Sequence, residues 1–539
     1  MKNAIKSINL PLSIMLCIIC FGSITGSLAQ DDAISQDLIS PIYGKLMLTG
    51  TGELTARTQA TFALLAGEGE GRLVVLAREG SRRVRTTPNW EKQIGSVEIF
   101  YLNKTDNELS GKVLIALREA NAVWLVDDLS KNFQSVFQLV GELNGLLHRN
   151  GIIGGQGVAA ESMGALIIDN DEIREGLDLL PNSIISSPLG TSRNFSEVIS
   201  KLPGRLGWEL PPQASVVIHS GRQISVIEYP EITLRIAANG EWPERVTYYG
   251  PPIDDLPYTE DLISWNRSAL ARLNDKFPPS VAPIPEVLNG ALIIVGGSGF
   301  PDGMWERVID FAGGTDANYV CFSQTSASTG AERLRELGCR NISVYMVKTG
   351  VEGIGQGNDP QLLKALENAD CVYFGGGRTY KFMDAYHNTE AHLLMHKVLE
   401  RGGIILGGSA GAQIQGDFLV RGDPRTNNEL WMEGNDVGLG FINGVIIDAH
   451  FRERGREKTL PSLLVRHPQM LGIGIDETTA IFVQGTTAEV MGPHTVTFYD
   501  LTEYAGPGKT INDIGHKIVL MAGEKYDLKL RKKVANTDE

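Results

Sequence analysis

The strongest constraint on this chain is internal: one pattern is written twice. Ala291-Leu-Ile-Ile-Val-Gly-Gly-Ser-Gly299 repeats the form of Lys45-Leu-Met-Leu-Thr-Gly-Thr-Gly52, an apolar run that ends in a glycine turn. Ala365–Phe374 then follows Ala116–Leu125, Arg401–Ile405 follows Arg149–Ile153, Asn443–Ile446 follows Asn182–Ile185, and Leu471-Gly472 follows Leu206-Gly207. The order is kept and the separation between partners only widens, as expected for two copies of one unit with small insertions in the second. The copies are expected over residues 45–235 and 290–500. Seven prolines between Pro251 and Pro285 make the stretch between them, 236–289, a poor sheet core, because proline fixes φ and removes a donor. It reads as an ordered connector carrying a short helix over 259–273, and residues 501–539 read as a C-terminal extension.

Within the second copy, Leu292–Val295, Tyr319–Phe322, Val372–Phe374, Ile404–Leu406 and Val445–Ile447 are apolar throughout, which predicts strands buried on both faces. Helical patterns over 305–311, 361–367, 390–400 and 459–466 alternate with them. Strand and helix in alternation predict an α/β fold, a parallel sheet covered on both sides, with its site beyond the carboxyl ends of the strands.

Composition removes several function classes. The 539 residues are 42% hydrophobic and 21% charged, with a net charge of −15. An acidic chain does not present the clustered Lys and Arg that nucleic acid requires. Lys2 and Lys6 precede an apolar run from Ile8 to Phe21, and small residues lead to Ser27-Leu28-Ala29. This is the layout of a secretory signal peptide over residues 1–29, so a secreted or periplasmic location without stable membrane insertion is expected. Cleavage would leave Cys321, Cys339 and Cys371, in apolar surroundings that suit burial rather than a disulfide framework.

The chemistry concentrates in Ile404-Ile-Leu-Gly-Gly-Ser-Ala-Gly-Ala412, an apolar strand running into G-x-S-x-G. A serine on a sharp strand-to-helix turn projects its hydroxyl above the sheet, and the helix that follows offers free N–H groups to a developing oxyanion. Ser409 is therefore the candidate nucleophile. His450 ends the buried run Val445-Ile-Ile-Asp-Ala-His450, reaches the same sheet edge and is the candidate base. His392 and His396 stand four apart on a predicted helix, but no HExxH glutamate and no third ligand accompany them, so neither metal nor cofactor is expected.

Four motifs in order, Tyr373-Phe-Gly-Gly-Gly-Arg378, Gly407-Gly-Ser-Ala-Gly-Ala412, Asp448-Ala-His-Phe-Arg-Glu-Arg-Gly-Arg456 and Gly472-Ile-Gly-Ile-Asp-Glu-Thr-Thr-Ala480, resemble the peptidase S51 family and its cyanophycinase-like serine hydrolases. The resemblance implies two tandem parallel-sheet, three-layer domains of the class I glutamine amidotransferase-like type. It also implies Ser409 as nucleophile, His450 as base, and backbone N–H groups of Gly377 and Ala410 as oxyanion donors. Asp448, Arg454, Arg456 and Arg378 are the implied substrate-side residues, suited to a peptide or polypeptide rich in Asp and Arg. Three positions depart from the family pattern: Ala449 and Thr379 each replace a glutamine, and Thr459 replaces an arginine. The acidic third member is expected in the loop after the nucleophile, as Glu429 or Asp423, while Asp476 and Glu477 suit a structural turn.

The first copy carries Gly157 at the nucleophile position, Leu189 at the base and Ser187 at Asp448, so it is expected to be inactive. The expected activity is hydrolysis of peptide or isopeptide bonds next to aspartate by an exported serine peptidase. The alternatives are a dipeptidase for acidic peptides and a non-catalytic binding protein. Because the family forms homodimers, a homo-oligomer or an internal pseudo-dimer is expected.

Overall fold

Residue-by-residue alternation explains why the strands read as unbroken apolar runs. In the strand Val287–Val295, Leu292 and Ile294 enter one core, while Ala291, Ile293 and Val295 enter another on the opposite face. Met47 likewise faces away from Leu46 and Leu48 in Lys45–Thr49. A sheet covered on both sides has no polar face to write into its sequence. These observations come from a computed structural model that describes residues 42–535 apart from 87, 89, 132–133, 170–171, 188–194, 252–260, 326–327 and 505–516. The expected signal segment, residues 1–29, lies outside the described residues.

The larger sheet of the second half runs, in spatial order, Asn341–Met346, Asn318–Ser323, Cys371–Phe374, Ile404–Gly408, Val287–Val295, Ala480–Gly485, Thr487–Met491, Lys525–Asp527 and Lys532–Lys533. The first five strands are parallel. From Ala480–Gly485 outward each strand is antiparallel to its neighbour, so the sheet is mixed rather than wholly parallel. Hairpins at that end replace the helical crossovers that parallel pairing needs. Helices Met304–Ala312 and Thr329–Glu336 cover one face; Pro360–Glu367, Glu390–Glu400 and a second, five-stranded sheet cover the other.

The first half repeats the order of the first seven of these strands: Ser96–Leu102, Arg72–Arg78, Ala122–Leu125, Ile152–Gln156, Lys45–Thr49, Ser215–His219 and Gln223–Glu228. Its second sheet adds one edge strand, Glu172–Glu175, to the order seen in the other half. Both halves are α/β domains with mixed sheets.

Register refines the pairing of the two halves. Thr49 stands opposite Gln156 as Val295 stands opposite Gly408, so Gly52 corresponds to Ser298 rather than Gly299. Ser186 corresponds to Asp448 in the smaller sheets, with Ser187 one residue beyond. Leu189 lies outside the described residues.

The connector and the extension are structural parts of the domains. Arg245–Tyr249 is the edge strand of the first half's second sheet. Helix Leu262–Ala271 buries Leu262, Trp265 and Ala269 in the first half's core, while Arg267, Ser268 and Arg272 bond residues of the second half. Among the described residues no helix is long and apolar enough to cross a membrane.

Candidate functional site

Ser409 follows the strand Ile404–Gly408 and precedes the short helix Ala410–Gln413. Its φ of 56° and ψ of −115° put it in a sparsely populated region, the cost of a sharp turn that aims the side chain away from the sheet. The neighbours make that turn possible. A Cβ on Gly407 would lie 2.2 Å from the Gly411 carbonyl oxygen, and one on Gly411 would lie 2.3 Å from that of Phe374.

His450 closes the strand Ile442–Ala449 at φ 50°. Its Nε2 is 2.8 Å from Ser409 Oγ and its Nδ1 is 2.6 Å from Glu477 Oε1. Its backbone N–H donates to Gly296 O at 2.8 Å, fastening the turn. Gly297 lies against the imidazole: a Cβ there would sit 2.4 Å from His450 Cε1, so the ring occupies space that any other residue would claim.

The carboxylate on His450 thus belongs to Glu477, not to Glu429 or Asp423. Glu429 is exposed on its loop. Asp423 is buried and spends its carboxylate on Arg425, whose Nη2 is 2.7 Å away; burial opposes ionisation, but these bonds hold the group below the usual carboxylate range. Glu477 follows the strand Leu471–Ile475, whose Ile475 pairs with Ala449, the residue before His450. That adjacency across two strands was the available signal. Hydrogen bonds from Ser298 and His450 hold Glu477 below its ordinary range.

Gly376 and Gly377 are exposed beside Ser409. A Cβ on Gly376 would stand 3.6 Å from Ser409 Cβ, and Gly377 has φ 138°. Ala410 opens the short helix directly after Ser409. Gln324, a residue without a sequence motif of its own, brackets this loop: Arg378 N–H donates to its Oε1 and its Nε2 donates to Arg378 O, both at 2.8 Å.

The implied substrate residues separate into two groups. Asp448 is fully buried and accepts from Gln413 Nε2 at 3.2 Å, Arg421 Nη2 at 3.0 Å and Arg456 Nη1 at 2.8 Å. Arg456 is buried with it and also donates to Ala449 O at 2.6 Å. These two therefore do not face substrate; a buried carboxylate needs its cations, and they have no solvent-facing edge to offer. Thr459 Oγ1 accepts from Arg421, and Thr379 Oγ1 donates to Arg421 O, which makes Arg421 the hub of this cluster. Arg454 is exposed, and its positive charge reaches His450 and Glu477. Arg378 is half-buried beside the glycine loop, donating to Asp423 O at 2.6 Å.

His392 and His396 direct both Nε2 atoms at one backbone carbonyl, that of Leu439, at 2.8 and 2.9 Å. Burial keeps both imidazoles from protonating readily. Cys321, Cys339 and Cys371 are buried free thiols.

A serine hydroxyl, an imidazole and a carboxylate in line, beside a solvent-open glycine loop, can run acyl transfer. Residues 323–491 match peptidase family S51. That match classifies the second domain with the serine peptidases. The cyanophycinase of Geminocystis herdmanii is 28% identical over 278 residues, 47% of this chain and 99% of its own. The cyanophycinase of Trichormus variabilis is 28% identical over 232 residues, 41% of this chain and 76% of its own. A crystal structure of a peptidase from an acI-B1 actinobacterium aligns with 45% of this chain and 98% of its own at 20% identity, with a TM-score of 0.35.

Proposed function

We propose that this chain is an exported, cyanophycinase-like serine peptidase that hydrolyses peptide or isopeptide bonds next to aspartate. The observation that carries the reading is the Ser409–His450–Glu477 line beside Gly376 and Gly377. His450 Nε2 takes the Ser409 hydroxyl proton as Oγ bonds the substrate carbonyl carbon. Backbone N–H groups of Gly377 and Ala410 receive the oxyanion. The carbon–nitrogen bond then breaks, His450 gives its proton to the departing amine, and water, deprotonated by the same imidazole, releases the acid and frees Ser409. Glu477 keeps the imidazole in the tautomer whose Nε2 can accept.

Arg454 and Arg378 supply the positive charge for a substrate carboxylate. The withdrawal of Arg456 into the Asp448 cluster, with Ala449, Thr379 and Thr459 at altered positions, favours a second reading of the same chemistry: a dipeptidase for acidic peptides. We read the two halves as copies of one class I glutamine amidotransferase-like domain, the first of them inactive, forming a pseudo-dimer within one chain.

A fluorophosphonate probe should label the folded wild type and leave Ser409→Ala unlabelled; a folded wild type that stays unlabelled would favour a binding protein instead. Release of β-aspartyl-arginine from cyanophycin supports the first substrate class. Turnover of Asp-containing dipeptides alone supports the second.

A further inference from the structure

The first half contributes one guanidinium to the immediate support of the oxyanion loop. Arg222 stands just before the strand Gln223–Glu228 of the first half. Its Nη1 donates to Asp384 Oδ2 at 2.7 Å and its Nε to Asp261 Oδ1 at 2.8 Å. Asp384 belongs to the helix Thr379–Tyr386, which begins two residues after Gly377. Arg267, from the connector helix, donates to the other oxygen of Asp384 at 2.8 Å.

The second contact is the informative one. The Tyr380 ring carries Arg222 at 5.1 Å from its centroid and Arg378 at 5.4 Å. Arg378 is the residue whose backbone Gln324 clamps on the far side of the same loop. An unbroken set of contacts therefore runs from the first half, through Tyr380 and Asp384, to Gly377-Arg378. The pairs are largely buried, with side-chain exposures of 15% for Arg222 and 5% for Asp384, so water does not screen them away. A guanidinium serves two carboxylates and a ring face at once because it is planar and carries five donors; an ammonium cannot.

We propose that Arg222 is a positioning residue for the reaction of the second half: the inactive first half holds the helix Thr379–Tyr386, and through it the Gly376-Gly377 turn, in the geometry that receives the oxyanion. The inference rests on the hydrolase reading above only for its kinetic consequence. The loop's dependence on Arg222 is a structural claim that stands without it.

The test uses the full chain. Hydrogen–deuterium exchange over residues 376–386 is compared in wild type, Arg222→Gln, Tyr380→Leu and Glu433→Ala, together with kcat and KM on whichever substrate the wild type turns over. Glu433→Ala is the control, because it removes the partner of Arg272 across the same inter-domain contact without touching this helix. Arg222→Gln should speed exchange in 376–386 about tenfold and lower kcat about 10- to 100-fold with KM within about threefold, since misplacement of one ångström can cost this much. Tyr380→Leu should show the same local signature at about a third of the amplitude, and it decides the matter should Arg222→Gln not fold, because a cation–π contact is the weaker of the two supports. Glu433→Ala should lower Tm while leaving exchange in 376–386 as in the wild type. Wild-type exchange in this segment for Arg222→Gln, or equal losses in Arg222→Gln and Glu433→Ala, overturns the proposal. A wild type that Ser409-directed probes do not label overturns the hydrolase reading instead, and the exchange result still decides the structural claim.

Discussion

His450 sits between charges that move its proton affinity in opposite directions. Burial lowers it most, the hydrogen bond and charge of Glu477 raise it, and Arg454 and Arg456 lower it, leaving the imidazole below its ordinary value of 6.5. A general base works only when unprotonated, so the acid limb of kcat/KM should lie below pH 6.5. The sign for each variant follows. Glu477→Gln removes a group that favours imidazolium, so the limb moves to lower pH while the rate falls, by about 10²- to 10⁴-fold if the tautomer is also lost. Arg454→Gln removes a repelling charge, so the limb moves to higher pH. A pH–rate series on both variants checks this, and shifts of the same sign would contradict the arrangement. Gly297 makes a second residue-scale prediction. With φ 106° and the His450 ring 2.4 Å from an added Cβ, Gly297→Ala must displace the imidazole. Probe labelling of Ser409 should fall at least about 100-fold with circular dichroism unchanged, because a base outside about 3.2 Å of the hydroxyl cannot accept its proton.

The strand Ile442–Ala449 ends in a buried ion cluster, Arg421–Asp448–Arg456, directly under the candidate base. Removing Arg456 leaves Asp448 with Arg421 alone as its cation and takes the side-chain donor from the Ala449 carbonyl, at about 1–3 kcal/mol. Arg456→Met should therefore lower the midpoint of chemical denaturation and leave KM of the folded fraction within about threefold. Arg454→Met should raise KM and leave stability within about 0.5 kcal/mol, as surface substitutions do. A stable Arg456→Met with a raised KM would return Arg456 to the substrate side. These two arginines also show where sequence stops being legible. Both lie in one motif, and only packing decides that Arg456 turns inward to Asp448 while Arg454 turns out. Strands such as Cys371–Phe374 and Ile404–Gly408 were legible because burial on both faces leaves an unbroken apolar run. The Ser409 turn was legible because its glycines are local. The antiparallel half of each sheet was not, since apolar composition does not encode direction. Glu477 was missed because its contact with His450 depends on the register of two neighbouring strands, and the place of the connector helix was not legible because Leu262, Trp265 and Ala269 join the first half's core while Arg267 and Arg272 bond the second half.

Across the whole molecule, the fold is kept twice and the site's parts are not. Gly157 has the backbone of Ser409, with φ 57° and ψ −124°, and its N–H donates to Thr49 O at 2.9 Å as that of Ser409 donates to Val295 O at 3.1 Å. The geometry thus survives without the hydroxyl. Register places Asp127 and Asp128 where Gly376 and Gly377 stand, because Leu125 is opposite Gly155 as Phe374 is opposite Gly407. Both aspartates are buried; Asp128 is engaged by Arg174 and Ser130, and Asp127 accepts from Arg78 N–H at 2.9 Å. Thr51 takes the place of Gly297, the glycine against which His450 packs in the other half. Where the other half leaves Gly376 and Gly377 bare and exposed, these positions carry side chains whose carboxylates are already committed to protein partners and fill the turn. Restoring the hydroxyl alone should accordingly achieve nothing: Ser409→Ala combined with Gly157→Ser is expected to fold, because φ and ψ already suit the turn, and to remain unlabelled by a fluorophosphonate under conditions that saturate the wild type. Peptide mapping of the probe adduct is the measurement. An adduct on residue 157 would mean that the aspartates do not close this site.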